Sequence, residues 1–179
     1  RRMRSALMSH DFVFHSTSEE ETRRLGAILG RLAEPGLVIA LCGQLGAGKT
    51  TFTRGLAEGL GVTDSRLVSS PTFMLIQEYP ARLPIYHFDT YRLASIDEFA
   101  ELGVEEYFHS DGVSLVEWAD RVTELLPADR IQITFTTLPD DGVSDTGSGP
   151  GSRRRIAVRC LGNKDWKLVD QWRAFAAEE

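Results

Sequence analysis

The sequence predicts one α/β domain whose sheet is mixed and partly antiparallel. Three observations carry that expectation. Short apolar runs, Leu37 to Cys42 and Val113 to Val116, alternate with segments of helical periodicity. A glycine-rich run, Gly43-Gln44-Leu45-Gly46-Ala47-Gly48-Lys49-Thr50, joins the first of these strands to a helix. Two more pairs of strand-like runs are joined without a helix between them, which makes them antiparallel neighbours.

Taken in order, Ser18-Glu19-Glu20-Glu21 is a capping box that opens a helix. Leu25, Ile28, Leu29 and Leu32 give that helix one apolar face, and Pro35-Gly36 ends it. After the glycine-rich run, the helix from Thr50 to Leu60 turns Phe52, Leu56 and Leu60 inward and Arg54 and Glu58 outward, and Gly61 stops it. Phe73 to Tyr79 and Ile85 to Phe88 read as strands joined through Pro80 to Pro84. Ser95-Ile96-Asp97-Glu98 is a second capping box, opening a short helix that ends near Leu102-Gly103. Val113 to Val116 is too short and too β-branched for a helix, and Ala119 to Leu126 reads as helical up to Pro127.

Ile131, Ile133 and Phe135 alternate with polar residues, so their strand has one wet face, and Arg155 to Cys160 is its partner. Between them, Pro139 to Ser152 is rich in Gly, Ser and Asp and reads as a flexible hairpin insertion. The arginines 153 to 155 read as a solvated strand edge that discourages aggregation. A last helix spans Trp166 to Phe175.

Composition bounds the function. The net charge of −6 argues against a surface built to coat nucleic acid, where a basic face is needed. Cys42 and Cys160 have neither metal-ligand spacing nor a disulfide framework. No apolar run reaches the roughly 20 residues of a membrane span, so a cytoplasmic protein is expected. Residues 1 to 10 read as a frayed leader, with Met3 or Met8 as the natural start.

The glycine-rich run fits G-x-x-x-x-G-K-[ST], the Walker A phosphate loop of nucleoside triphosphatases. Its glycines let backbone N–H groups wrap inward, and the helix N-terminus adds partial positive charge where phosphates would sit. Lys49 is placed for the β and γ phosphates, and Thr50 for the hydroxyl ligand of Mg²⁺. Such a loop needs an acidic partner at a strand end, and two residues qualify: Asp89 after Ile85 to Phe88, and Glu117 after Val113 to Val116. One would contact the metal while the other holds a water, and the spacing does not say which. Ser69-Ser70-Pro71-Thr72-Phe73 is a candidate nucleotide-sensing turn. His87 reads as a satisfied core histidine, Trp118 as packing, and Arg92 as either a phosphate partner or a salt bridge. No arginine is placed as a finger at the γ phosphate. A small-molecule or nucleoside kinase shares the same loop and is the alternative reading, as is a nucleotide-binding module without turnover.

With these residues assembled, the chain resembles the TsaE (YjeE) family, the bacterial ATPases of tRNA threonylcarbamoyladenosine modification. The resemblance rests on the phosphate loop with Thr51, on Ser70-Pro71-Thr72-Phe73, on Tyr86-His87-Phe88-Asp89-Thr90-Tyr91-Arg92-Leu93 and on Glu117-Trp118. It covers most of residues 14 to 126, and the Gly/Ser insertion lies outside it. It implies a three-layer P-loop NTPase sandwich, and the residues themselves read as a single such domain over 11–179 with a flexible hairpin insertion at 139–154. It implies ATP on Gly43, Leu45, Gly46, Ala47, Gly48, Lys49, Thr50 and Thr51, with Thr17, Ser18 and Glu19 near the adenine. Mg²⁺ would lie at Thr50, Glu117 and Asp89, and Lys49, Asp89 and Glu117 would be catalytic. The implied partners are TsaD and TsaB, which transfer threonylcarbamoyl to adenosine 37 of tRNA, with tRNA met only through them. The ATPase would be weak alone.

Overall fold

The computed structural model describes residues 9–71, 75–139 and 153–178. Its strands are β1 (Phe12–Ser16), β2 (Val38–Gly43), β3 (Ile76–Tyr79), β4 (Ile85–Asp89), β5 (Val113–Glu117), β6 (Arg130–Thr137) and β7 (Arg154–Leu161). Its helices are α1 (Glu19–Leu32), α2 (Lys49–Gly59), α3 (Ile96–Glu101), α4 (Val104–Phe108) and α5 (Lys167–Ala177). One mixed sheet holds all seven strands in the order β1-β7-β6-β2-β5-β4-β3. Its centre, β6-β2-β5-β4, is parallel, and antiparallel pairs flank it on both sides.

β2 and β5 are buried on both faces, which explains their nearly unbroken apolar runs, whereas β6 alternates buried with partly exposed residues. Ile39 and Leu41 of β2 pack with Leu29 of α1, Phe52 of α2 and Trp172 of α5. Val38 and Ala40 point the other way, toward Phe88, Phe99 and Phe108. The result is the expected three-layer α/β sandwich.

Helix α1 lies on α2 through glycine. A Cβ on Gly26 would come within 2.2 Å of the Phe52 carbonyl oxygen, and one on Gly55 within 1.9 Å of the Arg23 carbonyl oxygen. No side chain fits there, so the backbones are in direct contact. Ser18 caps α1 by accepting from the Glu21 N–H at 3.1 Å, while Glu21 reaches back to the Thr17 N–H at 2.6 Å. The box therefore closes one residue earlier than its pattern implies. The Trp172 indole N–H donates to the Leu25 carbonyl at 2.9 Å and locks α5 onto the same helix.

Several expectations change. β1 adds an edge strand that its alternating Phe12 and Phe14 signal only weakly. Ala119 to Leu126 is not one helix but two 3-10 turns, Ala119–Arg121 and Thr123–Leu125. Trp118 at φ +56° precedes the first of them in the left-handed region, and Val122 at φ −129°, ψ 22° interrupts the run between the two. The second capping box is half formed: Glu98 accepts from the Ala94 N–H at 3.3 Å, but Ser95 makes no side-chain cap. β7 begins at Arg154, inside the stretch 139–154 expected to be a flexible insertion, and the rest of that expectation lies mostly outside the described residues. β7 is also no edge, because it sits between β1 and β6. His10, assigned to the leader, makes a 2.9 Å contact with Asp170, while residues 1–8 lie outside the description.

Candidate active site

The parallel strands β2, β4 and β5 end on the same side of the sheet. A cavity of about 510 Å³ opens there. The loop after β2 supplies Leu45, Gly46, Gly48, Lys49, Thr50 and Thr51, and β4 and β5 supply Asp89 and Glu117, which are register partners. Ser70 and Pro71 line it from the turn after α2, while Thr72 and Phe73 fall outside the described residues. Gly43, Gly46 and Gly48 take φ of +144°, +76° and +109°, backbone that side-chain-bearing residues rarely adopt.

Lys49 closes the loop on itself. Its ammonium donates to the carbonyls of Gly43 at 2.5 Å and Gln44 at 2.9 Å, and lies 4.1 Å from the centroid of the Trp118 ring. Burial pulls its pKa down, against the opposing pull of Glu117 and Asp89. Trp118 owes its position to Thr90. The Thr90 hydroxyl lies 2.9 Å from the Glu117 carbonyl and 2.7 Å from that of Trp118, tying the ends of β4 and β5 together. Tyr91 packs on Trp118 with ring centroids 4.7 Å apart.

Glu117 is 2% exposed. Ser70 Oγ donates to its Oε2 at 2.8 Å, and His87 Nε2 stands 3.4 Å from its Oε1. That second approach is not aligned as a hydrogen bond, so Oε1 and both His87 ring nitrogens are buried without a hydrogen-bond partner among the described residues. His87 is thus buried as expected, with Glu117 its recorded polar neighbour and no aligned hydrogen bond among the described residues. Burial raises the Glu117 pKa, yet His87, Ser70 and Lys49 together outweigh it and hold the carboxyl below its usual value. Asp89 goes the other way. Its Oδ1 accepts the Tyr91 N–H at 2.9 Å, but burial and the Glu117 charge hold its pKa above the usual value.

The remaining expected residues are placed as follows. Ser18 does not line the cavity, because its hydroxyl is the α1 cap; its neighbours Glu19 and Thr22 line it instead. Ala47 is buried in the loop. Gly43 contributes its carbonyl to Lys49 rather than a cavity wall. Arg92 and Trp118 do line the cavity. So does Arg154, which the sequence assigns to a solvated edge. Its signal is topological: β7 runs antiparallel to β6, so its first residue must lie where β2 ends.

A buried carboxylate whose Oε1 has no hydrogen-bond partner among the described residues, in one cavity with Thr50 and a second carboxylate, suits Mg²⁺, which takes one or two carboxylates and keeps waters and phosphate oxygens as its other ligands. No group of three or more His, Cys, Asp or Glu side chains among the described residues forms a metal cage, and such a site does not require one.

Fold and site together define a protein of the P-loop NTPase-like α/β class. Its sequence matches the family described as Threonylcarbamoyl adenosine biosynthesis protein TsaE over residues 16–143. It is 45% identical over 153 residues to the tRNA threonylcarbamoyladenosine biosynthesis protein TsaE of Bacillus subtilis (strain 168), covering 85% of this chain and 94% of that one. It is 44% identical over 125 residues to the TsaE protein of Treponema pallidum (strain Nichols), covering 70% and 91%. The crystal structure of Bacillus subtilis YdiB superposes with a TM-score of 0.76 at 37% identity, covering 95% of this chain and 99% of that one. The chain belongs to the TsaE family, which functions in tRNA threonylcarbamoyladenosine biosynthesis. Among the described residues, no helix is long and apolar enough to cross a membrane.

Proposed function

We propose that the protein is a cytoplasmic, Mg²⁺-dependent ATPase that supports threonylcarbamoyl transfer to adenosine 37 of tRNA by acting on TsaD and TsaB. The observation that carries this is one cavity holding the phosphate loop, Lys49, Thr50 and two adjacent strand-end carboxylates.

The phosphates of ATP lie on the loop and the first N–H groups of α2, which have no carbonyl partners within the helix. Lys49 exchanges the carbonyls of Gly43 and Gln44 for phosphate oxygens. Thr50, Glu117 and Asp89 are the residues that would hold Mg²⁺, whose charge would offset that of the β and γ phosphates. Glu117, held by Ser70 and with its pKa lowered, would offer the ionised carboxylate. Asp89, less buried and harder to ionise, orients a water for in-line attack. Arg92 and Arg154 line the cavity, with Arg154 bonded to loop carbonyls, and TsaD and TsaB would supply the ordering that speeds turnover.

The test is ATP hydrolysis by the purified protein, alone and with TsaD and TsaB, alongside a tRNA modification assay. Hydrolysis should rise when the partners are added and vanish with Lys49→Ala. Wild-type protein that gives no phosphate release even with both partners and tRNA would refute the proposal. Appearance of a phosphorylated small acceptor in place of free phosphate would point to a kinase.

A further inference from the structure

The phosphate loop is held from outside as well as inside. Lys49 ties down its first half, at Gly43 and Gln44. Arg154, the first residue of β7, ties down the second: Nε donates to the Ala47 carbonyl at 3.0 Å and Nη2 to the Gly46 carbonyl at 3.2 Å. Nη1 donates to the Arg153 carbonyl at 3.2 Å. All three bonds go to neutral carbonyls, and no carboxylate among the described residues forms an ion pair with this guanidinium. Among the described residues, its charge is left without a carboxylate partner at the edge of the cavity.

The two carbonyls matter because of what shares their peptide planes. In a trans peptide the C=O and the following N–H point in opposite directions. Fixing the Gly46 carbonyl fixes the Ala47 N–H, which closes the loop on the Gln44 carbonyl at 3.1 Å. Fixing the Ala47 carbonyl turns the Gly48 N–H away from the guanidinium. Both peptides lie between glycines at positive φ, where the backbone on either side of Ala47 is less restricted than in a run of side-chain-bearing residues. An external clamp is what such a segment needs, and a planar two-donor fork matches two successive carbonyls better than a point charge does.

We propose that Arg154 is a positioning residue of the phosphate site: it holds the Gly46 to Gly48 peptides in the orientation that receives phosphate and adds positive charge there. This rests on the nucleotide-site reading above.

The experiment measures binding of Mg·ATP, tripolyphosphate and adenosine by titration calorimetry. It compares wild type with Arg154→Ala, Arg154→Lys, Lys49→Ala and, as a neighbouring surface control, Arg155→Ala. Arg154→Ala should weaken ATP and tripolyphosphate by the same factor, about tenfold or more, as expected for a charge-assisted bond. Adenosine binding should not change, and Arg154→Lys should restore only part of the loss. Arg155→Ala should match wild type. A purely structural role would instead lower the melting temperature and affect all three ligands alike. Arg154→Ala binding tripolyphosphate as tightly as wild type overturns the inference, provided Lys49→Ala has lost it. If Arg154→Ala does not fold, wild-type affinity in Arg154→Lys overturns it equally. If wild type and Lys49→Ala do not differ, the phosphate-site reading fails first and this inference with it.

Discussion

Asp89 and Glu117 occupy equivalent places. Each is the last residue of a parallel strand, they face each other in register, and both line the same cavity. Their environments are opposite. Glu117 has a hydroxyl donor, a buried imidazole and an ammonium nearby, and its pKa is lowered despite burial. Asp89 has one backbone N–H, and burial with the neighbouring Glu117 charge raises its pKa. A strand end thus sets where a carboxylate sits, and its neighbours set what it can do. The more buried group is the better ionised one because it is better partnered.

Three substitutions probe that difference, in falling order of effect. Lys49→Ala removes the cation that both carboxylates feel, and ATP affinity should fall about 100-fold or more. Calorimetry that finds near-wild-type affinity would mean Lys49 stays on Gly43 and Gln44 when nucleotide is bound. Glu117→Gln keeps the shape and deletes the fixed charge. Hydrolysis with partners should fall about 100-fold or more, with ATP affinity changed much less. Asp89→Asn should lower hydrolysis about tenfold or more.

The same pair separates by stability against pH in the nucleotide-free protein. The Glu117 pKa is lowered on folding, so its stabilisation is present above the unfolded-state value and lost as pH falls through the folded one. The Asp89 pKa is raised, so its contribution is favourable at low pH and lost as pH rises through the folded value. Melting temperatures from acid to neutral pH should therefore show Glu117→Gln less stable than wild type near neutrality, with the gap closing in acid. Asp89→Asn should be equal to or more stable than wild type near neutrality. Identical profiles for the two variants would erase the distinction drawn here.

Much of the site is legible in the sequence. The loop announces itself through glycine and lysine spacing, and apolar runs ending in Asp89 and Glu117 place both carboxylates at strand ends. What the sequence hides is long-range. Arg154 reads as a surface charge because its partners, the carbonyls of Gly46 and Ala47, lie more than a hundred residues earlier in the chain. Gly26 and Gly55 look like weak points in helices, and only the contact between α1 and α2 shows why larger residues fail there. The 3-10 turns after Trp118 escape notice because periodicity cannot report the left-handed residue that precedes them. β1 escapes because it is short and half exposed, and its pairing with β7 crosses almost the whole chain.

The smallest expected effect tests the finest part of the comparison. Ser70→Ala removes the one well-aligned hydrogen bond to the Glu117 side chain among the described residues and leaves His87 and Lys49 in place. The Glu117 pKa should rise toward its usual value, because a donor that favours the ionised form is gone. Burial would then weigh more heavily, and Glu117 would come to resemble Asp89. Hydrolysis should fall by several-fold to about tenfold, the range of one hydrogen bond to a charged group. The loss should grow as pH is lowered, since the carboxyl would protonate earlier. A pH-rate profile whose acidic limb coincides with wild type would show that His87 and Lys49 alone set the charge of Glu117, and that the turn after α2 contributes only its shape.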